Sequence, residues 1–320
     1  MTTTKQPTKR RSRYRQDRKN APTMRFQPRD RAIIQAVAKY RYVTTAGLLK
    51  LFAPEGRGER AVRRRLMILF HNRYLKRHFL FPLDRPPEIG STQAIYVLDK
   101  EAARKLWGSE WWRTSEGKKL VRRRKVGYHH LKHSLAVAQF QLTLDLAIGR
   151  SRGMVLDRFT ADMEDKGMRI RVPIPRYRVT RRGVERKGGI ERLTVWPDAS
   201  FQLRSKKRSW YYFLELDLST RKTERLFKRF LAYWQYTVRD KEHLLNERGV
   251  EGAFVLFVAE DKKQRNLLIE IANRVPEIRR RRPYFWFLKQ DALSFEDPRP
   301  LTAEPILRGL DGKPGFLTKP

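Results

Sequence analysis

Two strand-like runs, WPDASFQL (196–203) and WYYFLELDL (210–218), restrict the fold more than any other feature of the chain. In both runs apolar side chains recur at every second position, which is the period of a β-strand with one face in a core. The basic turn between them is short, so we predict an antiparallel hairpin. A slip of one residue would turn one apolar set away from the core. The predicted pairs are therefore Leu203 with Trp210, Phe201 with Tyr212, and Ala199 with Leu214.

The same register brings acidic residues together at one end of the hairpin. Asp198 falls opposite Glu215, and Asp217 lies two residues further along the same face. Opposed carboxylates repel each other unless a cation or basic groups compensate. One interpretation is a catalytic site in which these three acids hold Mg²⁺ or Mn²⁺ against a phosphodiester. The other is a structural pairing of the acids with some of the many arginines.

The charge of the chain points to a polyanionic partner. Its 320 residues contain 72 Lys and Arg against 34 Asp and Glu, and the net charge of +38 is spread over the whole length. A surface of this kind favours nucleic acid. The alternative from charge alone is a structural protein that binds RNA or the ribosome.

Several classes of protein and site are disfavoured by the sequence. With no cysteine, disulfides and thiolate metal sites are excluded, and a cytoplasmic, nucleoid-associated location is expected. The longest apolar stretch, 252–259, is far shorter than the roughly 18 residues of a membrane span, so no membrane association is expected. There is no Walker loop, and we expect no nucleotide or organic cofactor.

Composition and periodicity divide the chain into five segments. Residues 1–23 predict a disordered basic arm, and 291–320, rich in proline and glycine, an irregular tail. Two patterned blocks, 24–107 and 128–290, are predicted to be domains, joined by a basic linker at 108–127.

The first block predicts three helices followed by two strands, which is the order of a winged helix-turn-helix. In the third helix Val62, Leu66 and Leu69 form an apolar stripe, which leaves arginines on the opposite face. The candidate DNA-binding residues belong to this helix and its preceding loop, to the base of the wing, and to the linker: Arg57, Arg60, Arg63, Arg64, Lys76, Arg77, Arg122, Arg123 and Arg124.

The second block predicts a mixed-sheet α/β domain, so the chain as a whole belongs to the α/β class, or α+β taken over both domains. A helix at 128–149 precedes strand-like pieces at 154–160, 169–175, 195–203 and 210–218, and helices and strands then alternate.

The acidic end of the hairpin resembles a known nuclease motif. Pro197-Asp198 followed by Glu215-Leu216-Asp217 resembles the PD-(D/E)xK pattern, and the element order resembles the restriction-endonuclease-like fold. The resemblance implies that Asp198 and Glu215 are metal ligands. Asp217 occupies the place of the family's lysine, and the resemblance makes Lys222 and Lys228 on the next helix candidate substitutes for it. His133 is a further candidate ligand, because the opening helix of such folds often flanks the site.

Most of the chain, from the first block onward, resembles the replication-relaxation family of plasmids and other mobile elements. The resemblance is carried by DRAIIQAVAKYRYVT, RRRL, YVLDKEAARKL, LKHSLAVAQ, WPDASFQL and FLELDLST. It implies binding of double-stranded DNA during replication or mobilisation, together with replication or mobilisation proteins or as a homodimer. Metal-dependent nicking is one expectation. The alternative is a non-catalytic initiator or transcription regulator whose second domain is a degenerate nuclease.

Overall fold

A computed structural model gives the fold of the chain. The described residues are 21–80, 93–111, 127–151, 153–161, 170–180, 183–206, 208–217, 223–239, 241–279 and 285–318. The chain forms two compact units, unit 1 (Met1–Ala138) and unit 2 (Gln139–Pro320). The division falls inside one helix.

Unit 1 contains helices around a small antiparallel sheet. Its elements are α1 (Pro28–Tyr40), β1 (Val43–Thr44), α2 (Thr45–Phe52), α3 (Glu59–His71), β2 (Leu75–His78), β3 (Ile95–Leu98), α4 (Lys100–Trp111) and the first part of α5 (Tyr128–Gly149). The sheet has the strand order β1-β3-β2. The three helices and two following strands that the sequence predicts are therefore present, while residues 81–92, between β2 and β3, lie outside the described part.

The helices of unit 1 begin at sequence signals that the chain carries. Pro28 occupies the first turn of α1, where its missing N–H costs nothing, and the backbone N–H of Gln27 donates to Asp30. Thr44 caps α2 by accepting the N–H of Gly47. Gly58 precedes α3 at φ +84°, a left-handed conformation that favours glycine. These signals determine the residue at which each helix begins, and so which of its side chains face the core.

Unit 2 is built on a seven-stranded mixed sheet. Its strands are β4 (Met154–Ala161), β7 (Ala199–Ser205), β8 (Ser209–Asp217), β9 (Phe254–Ala259), β10 (Phe285–Lys289), β11 (Leu307–Arg308) and β12 (Pro314–Gly315). They lie in the order β12-β11-β10-β9-β8-β7-β4, and β8, β9 and β10 are mutually parallel. The helices after α5 are α6 (Thr223–Trp234), continued by a π-helix (Gln235–Arg239), then α7 (Lys241–Arg248), α8 (Lys262–Asn273), α9 (Pro276–Arg279) and α10 (Pro300–Ala303). The predicted α/β class is confirmed.

The predicted register of the hairpin is also confirmed. Leu203 pairs with Trp210, Phe201 with Tyr212, and Ala199 with Leu214. Both faces of β8 are covered, which alternation alone did not indicate. Tyr212 stacks on Phe201 on one face, whereas Tyr211 and Phe213 join the core formed with α6 on the other. The acidic face of β8 is therefore an interior face.

A second sheet in unit 2 is a two-stranded antiparallel ribbon of β5 (Ile170–Val179) and β6 (Val184–Val195). The sequence predicts only its first part, because β6 contains Gly188, Gly189 and several charged residues and lacks an alternating pattern. One face of β5 packs against α6, with the Tyr177 and Phe227 rings 5.3 Å apart. The ribbon is thus attached to the same core as the acidic face of β8.

The segment after residue 290, predicted as an irregular tail, adds the two shortest strands to the large sheet. β11 pairs with β10, and β12 pairs with β11. The Tyr212 hydroxyl donates to the carbonyl of Leu317 at 2.6 Å. Strands of two residues are too short to show a period in the sequence, so they could not be predicted from it. None of the helices in the described part of the chain is long and apolar enough to cross a membrane.

Candidate functional site

Helix α3 presents a row of arginines to solvent. Arg60, Arg63 and Arg64 are exposed, as is Arg57 in the loop before the helix, while Val62 on the other side is fully buried. Arg63 makes a 3.3 Å ion pair with Glu59 one turn earlier. Such exposed pairs contribute little to stability and dissociate readily in favour of another anion. These side chains are where the sequence placed them, opposite the apolar stripe.

Arg65, next to this row, has a different role. Its guanidinium makes two bonds with the carboxylate of Asp30 on α1, at 2.7 and 2.5 Å. The Asp30 side chain is fully buried, and Arg65 is only 13% exposed. This pair fixes α3 against α1 and so sets the direction in which the exposed arginines point.

The two predicted contacts at the base of the wing have partners within unit 1. Lys76 lies 3.5 Å from the Asp99 carboxylate. The Arg77 guanidinium stacks over Phe70 at 4.2 Å and faces Tyr96 at 5.4 Å. Stacking over a ring stabilises the sheet against α3. Both side chains are half-buried, which makes them weaker candidates for phosphate contact than the α3 row.

Glu215 is the centre of a buried polar network in unit 2. It is 1% exposed, and its carboxylate accepts a hydrogen bond from Arg229 at 2.6 Å and another from the Tyr233 hydroxyl. Arg229 and Tyr233 are four residues apart on α6, so they lie on the same face of that helix. Both oxygens of Glu215 are engaged by α6.

The electrostatics of this network reflect its burial. Desolvation raises the pKa of Glu215 to about 7, Asp198 adds to the increase, and Arg229 and Tyr233 oppose it. Burial also raises the pKa of Tyr233 well above its usual value, and the nearby Glu215 raises it further. For Arg229, burial alone would lower the pKa, but Glu215, Tyr233 and Asp198 together outweigh it and the net shift is upward. Tyr233 therefore stays protonated and acts as a donor.

The other two acids make separate contacts. Asp198 accepts the backbone N–H of Leu216 at 2.7 Å, and its own N–H donates to the carbonyl of Leu214. Asp217, 2% exposed, accepts from the side chain of Gln264 on α8 at 2.8 Å. The structure thus brings Asp198 near Glu215, as predicted, while Asp217 is held by another helix.

Glu215 is already paired with a cationic side chain, Arg229. In the described part of the chain no three His, Asp or Glu side chains are grouped so that they could hold one. A cation at Glu215 would meet the positive charge of Arg229 and would have to displace it. The alternative that the sequence left open, pairing of the acids with basic residues, agrees with the contacts of Glu215.

The remaining candidates belong to other elements or lie outside the described residues. His133 lies on the part of α5 that belongs to unit 1, whereas the three acids belong to unit 2. Lys228 pairs with Glu191 on β6 at 3.0 Å and with Glu224 at 3.2 Å. Lys222 and Arg122, Arg123 and Arg124 lie outside the described residues.

Arg229 was not among the residues singled out from the sequence, although a signal for it exists. An arginine and a tyrosine spaced i, i+4 occur on the helix that directly follows the acidic strand. In a doubly covered sheet such a helix packs on the strand before it. Without knowing that the acidic face is interior, however, Arg229 is one of many basic residues.

A family model described as Replication-relaxation matches residues 34–248, more than half of the chain. The matched range contains α3 with its exposed arginines and also the hairpin, α6 and the Glu215 network. Comparisons with curated proteins and with solved structures gave no match. The chain belongs to the Replication-relaxation family, which suggests a role in the replication or mobilisation of a plasmid or other mobile element.

Proposed function

We propose that the protein binds double-stranded DNA during replication or mobilisation of a plasmid or other mobile element, as a non-catalytic initiator or transcription regulator. Unit 1 acts as a winged helix-turn-helix, and α3 enters the major groove. The observation that carries the proposal is the division of the α3 arginines. Arg65 forms a buried ion pair with Asp30. Arg60, Arg63 and Arg64 are exposed on one side of the helix, and its other side packs into the core.

The exposed arginines are suited to DNA in both position and number. They occupy the first half of α3, and the N-terminal residues of a recognition helix are those that reach base edges and flanking phosphates. Arg57 lies just before the helix and extends the same basic row. Neutralising three phosphates would contribute about 3 to the slope of log K against log salt.

The contacts of the acids support a regulator rather than a nickase. Catalysis of the PD-(D/E)xK kind requires acids that are free to bind a metal ion. The carboxylate of Glu215 is instead hydrogen-bonded to Arg229 and Tyr233. The motif's lysine position is occupied by Asp217, which Gln264 holds. We infer that unit 2 retains the nuclease-like arrangement as a structural support.

Binding of a duplex by the variant Arg60→Ala/Arg63→Ala/Arg64→Ala tests the proposal. We expect at least about a tenfold loss of affinity and a salt slope reduced by about 3. A matched control with the same charge change is Lys39→Ala/Lys50→Ala/Arg104→Ala, which alters α1, α2 and α4 instead. Wild-type affinity and slope in the α3 variant would refute the role of α3. A preference for structured RNA over duplex DNA in the wild type would instead favour the RNA- or ribosome-binding alternative.

Catalysis is tested separately. Purified protein is incubated with supercoiled DNA with and without Mg²⁺ or Mn²⁺, and we expect the DNA to remain intact. Metal-dependent nicking that is abolished by Glu215→Gln would overturn the non-catalytic part of the proposal and restore the nuclease interpretation.

A further inference from the structure

The ribbon of β5 and β6 carries a strongly basic surface in unit 2. Its exposed side chains include six cations: Arg171, Arg176, Arg178, Arg186, Lys187 and Arg192. Two acids lie on the same strands. Glu185 is bonded to Lys187 at 2.7 Å, and Glu191 is paired with Lys228 of α6. The surface therefore retains a large positive excess after its internal pairs are counted.

The register divides the ribbon into an anchored face and an outer face. Ile170, Val172 and Ile174 are buried in the core of unit 2, and the Tyr177 hydroxyl donates to Glu277 at 2.6 Å. The cross-strand pairs at the intervening positions, and the pair that follows Tyr177, face away from this core. They are Arg171 with Thr194, Pro173 with Arg192, Pro175 with Ile190, and Arg178 with Glu185. The outer face thus presents three arginines at intervals along a rigidly held ribbon.

The outer face also exposes an apolar residue, and the β5 edge of the ribbon disfavours the addition of another strand. Ile190 is 66% exposed between the arginines. Pro173 and Pro175 lie in β5, and because proline has no N–H it disfavours the addition of another strand at the free edge. A ribbon of ten residues is about 30 Å long, close to one turn of duplex DNA, and a two-stranded ribbon fits the major groove.

We propose that the β5–β6 ribbon is a second DNA-binding element that places its outer face, with Arg171, Arg178 and Arg192, on duplex DNA. This rests on the proposed function, since it assumes the same duplex partner. It assigns to unit 2 a contact that α3 does not make. Ile190 would contact sugars or thymine methyl groups, which are the apolar parts of a groove.

The variant Arg171→Gln/Arg178→Gln/Arg192→Gln tests the proposal. We expect about a tenfold or greater loss of duplex affinity, with a salt slope reduced by about 3. The control Lys262→Gln/Lys263→Gln/Lys313→Gln makes the same charge change on α8 and the tail and should bind almost as wild type. Wild-type affinity in the ribbon variant would overturn the inference. So would an equal loss in the control, because it would show dependence on net charge alone.

A second readout does not depend on charge. The chain has no cysteine, so Ile190→Cys creates a unique thiol for an environment-sensitive dye. Duplex addition should change the emission of a dye at this position and leave a dye at Leu267→Cys on α8 unaffected. No change at position 190 with bound duplex, or a change only with single-stranded DNA or RNA, would overturn the inference.

The α3 and ribbon variants are measured side by side so that the two proposals can fail separately. A loss in the α3 variant alone supports the proposed function and overturns the ribbon contact. A loss in the ribbon variant alone places the DNA interface on unit 2 and overturns the assignment to α3.

Discussion

Replacing Arg229 by Met should destabilise unit 2 by an amount that depends on pH. The change leaves the carboxylate of Glu215 buried without its arginine partner, while the Tyr233 hydroxyl still donates to it. Because burial raises the pKa of Glu215 to about 7 in the folded state, protonation of this group favours folding. The stabilisation that comes from protonated Glu215 is fully present below the ordinary pKa of 4.5 and is lost as the pH rises through about 7. Removing Arg229 raises this pKa further, since the opposing positive charge is gone.

The raised pKa of Glu215 sets how much stability Arg229→Met loses at each pH. At about pH 6 Glu215 is protonated in both proteins, and the variant loses only packing and a hydrogen bond, about 1–2 kcal/mol. Near pH 8.5 the wild type is ionised, whereas the variant either keeps the proton or has an unpaired charge. That adds about 2 kcal/mol, from roughly 1.5 pH units at 1.36 kcal/mol each. The total of about 3–4 kcal/mol agrees with typical costs of breaking a buried ion pair.

Urea unfolding at the two pH values measures the difference. The control Arg225→Met alters an exposed arginine one turn earlier in α6 and should change the free energy of unfolding by less than about 0.5 kcal/mol. The double variant Arg229→Met/Glu215→Gln removes the charge as well as its partner and should lose the pH dependence. An equal destabilisation of Arg229→Met at both pH values would refute the argument that Glu215 is the buried charge.

Three further outcomes follow from the contacts described. Asp30→Asn should destabilise unit 1 by about 3 kcal/mol, because Arg65 loses its carboxylate, and urea unfolding that matches wild type would contradict this. Gly315→Ala should cost about 1–3 kcal/mol in the same assay, because the added Cβ would lie 2.3 Å from the Trp286 ring; an unchanged midpoint would show that the ring moves aside. Mg²⁺ or Mn²⁺ should leave the thermal midpoint unchanged by scanning fluorimetry, and a rise that Glu215→Gln abolishes would reveal a metal site.

The sequence predicts structure most accurately where alternating apolar residues must all face one core. The β7–β8 register was determined by parity, because Phe201 and Tyr212 could face the same core in only one way. The same reasoning could not reveal that Glu215 is interior. A strand covered on both faces has apolar residues at odd and even positions alike, and an acid within it finds its partner on another element, here the helix α6.

The ribbon and the arginine pairings show a second limit of the sequence. Gly188 and Gly189 interrupt the alternation of β6, so half of the ribbon was not predicted. Among neighbouring arginines, only tertiary contacts distinguish Arg65, which binds Asp30, from the exposed Arg64. Charge patterns locate a basic surface but do not show which of its arginines are already paired with acids of the same protein.

The short C-terminal strands protect the large sheet against intermolecular pairing. β10, with the sequence FWFLK, is apolar along most of its length, and β11 and β12 cover the edge that it would otherwise present. An open apolar edge is a template for another chain. A chain shortened after Glu304 would lose both strands and the bond from Tyr212 to Leu317. Such a truncation, attractive because the tail looks dispensable in sequence, would make the protein prone to aggregation through β10.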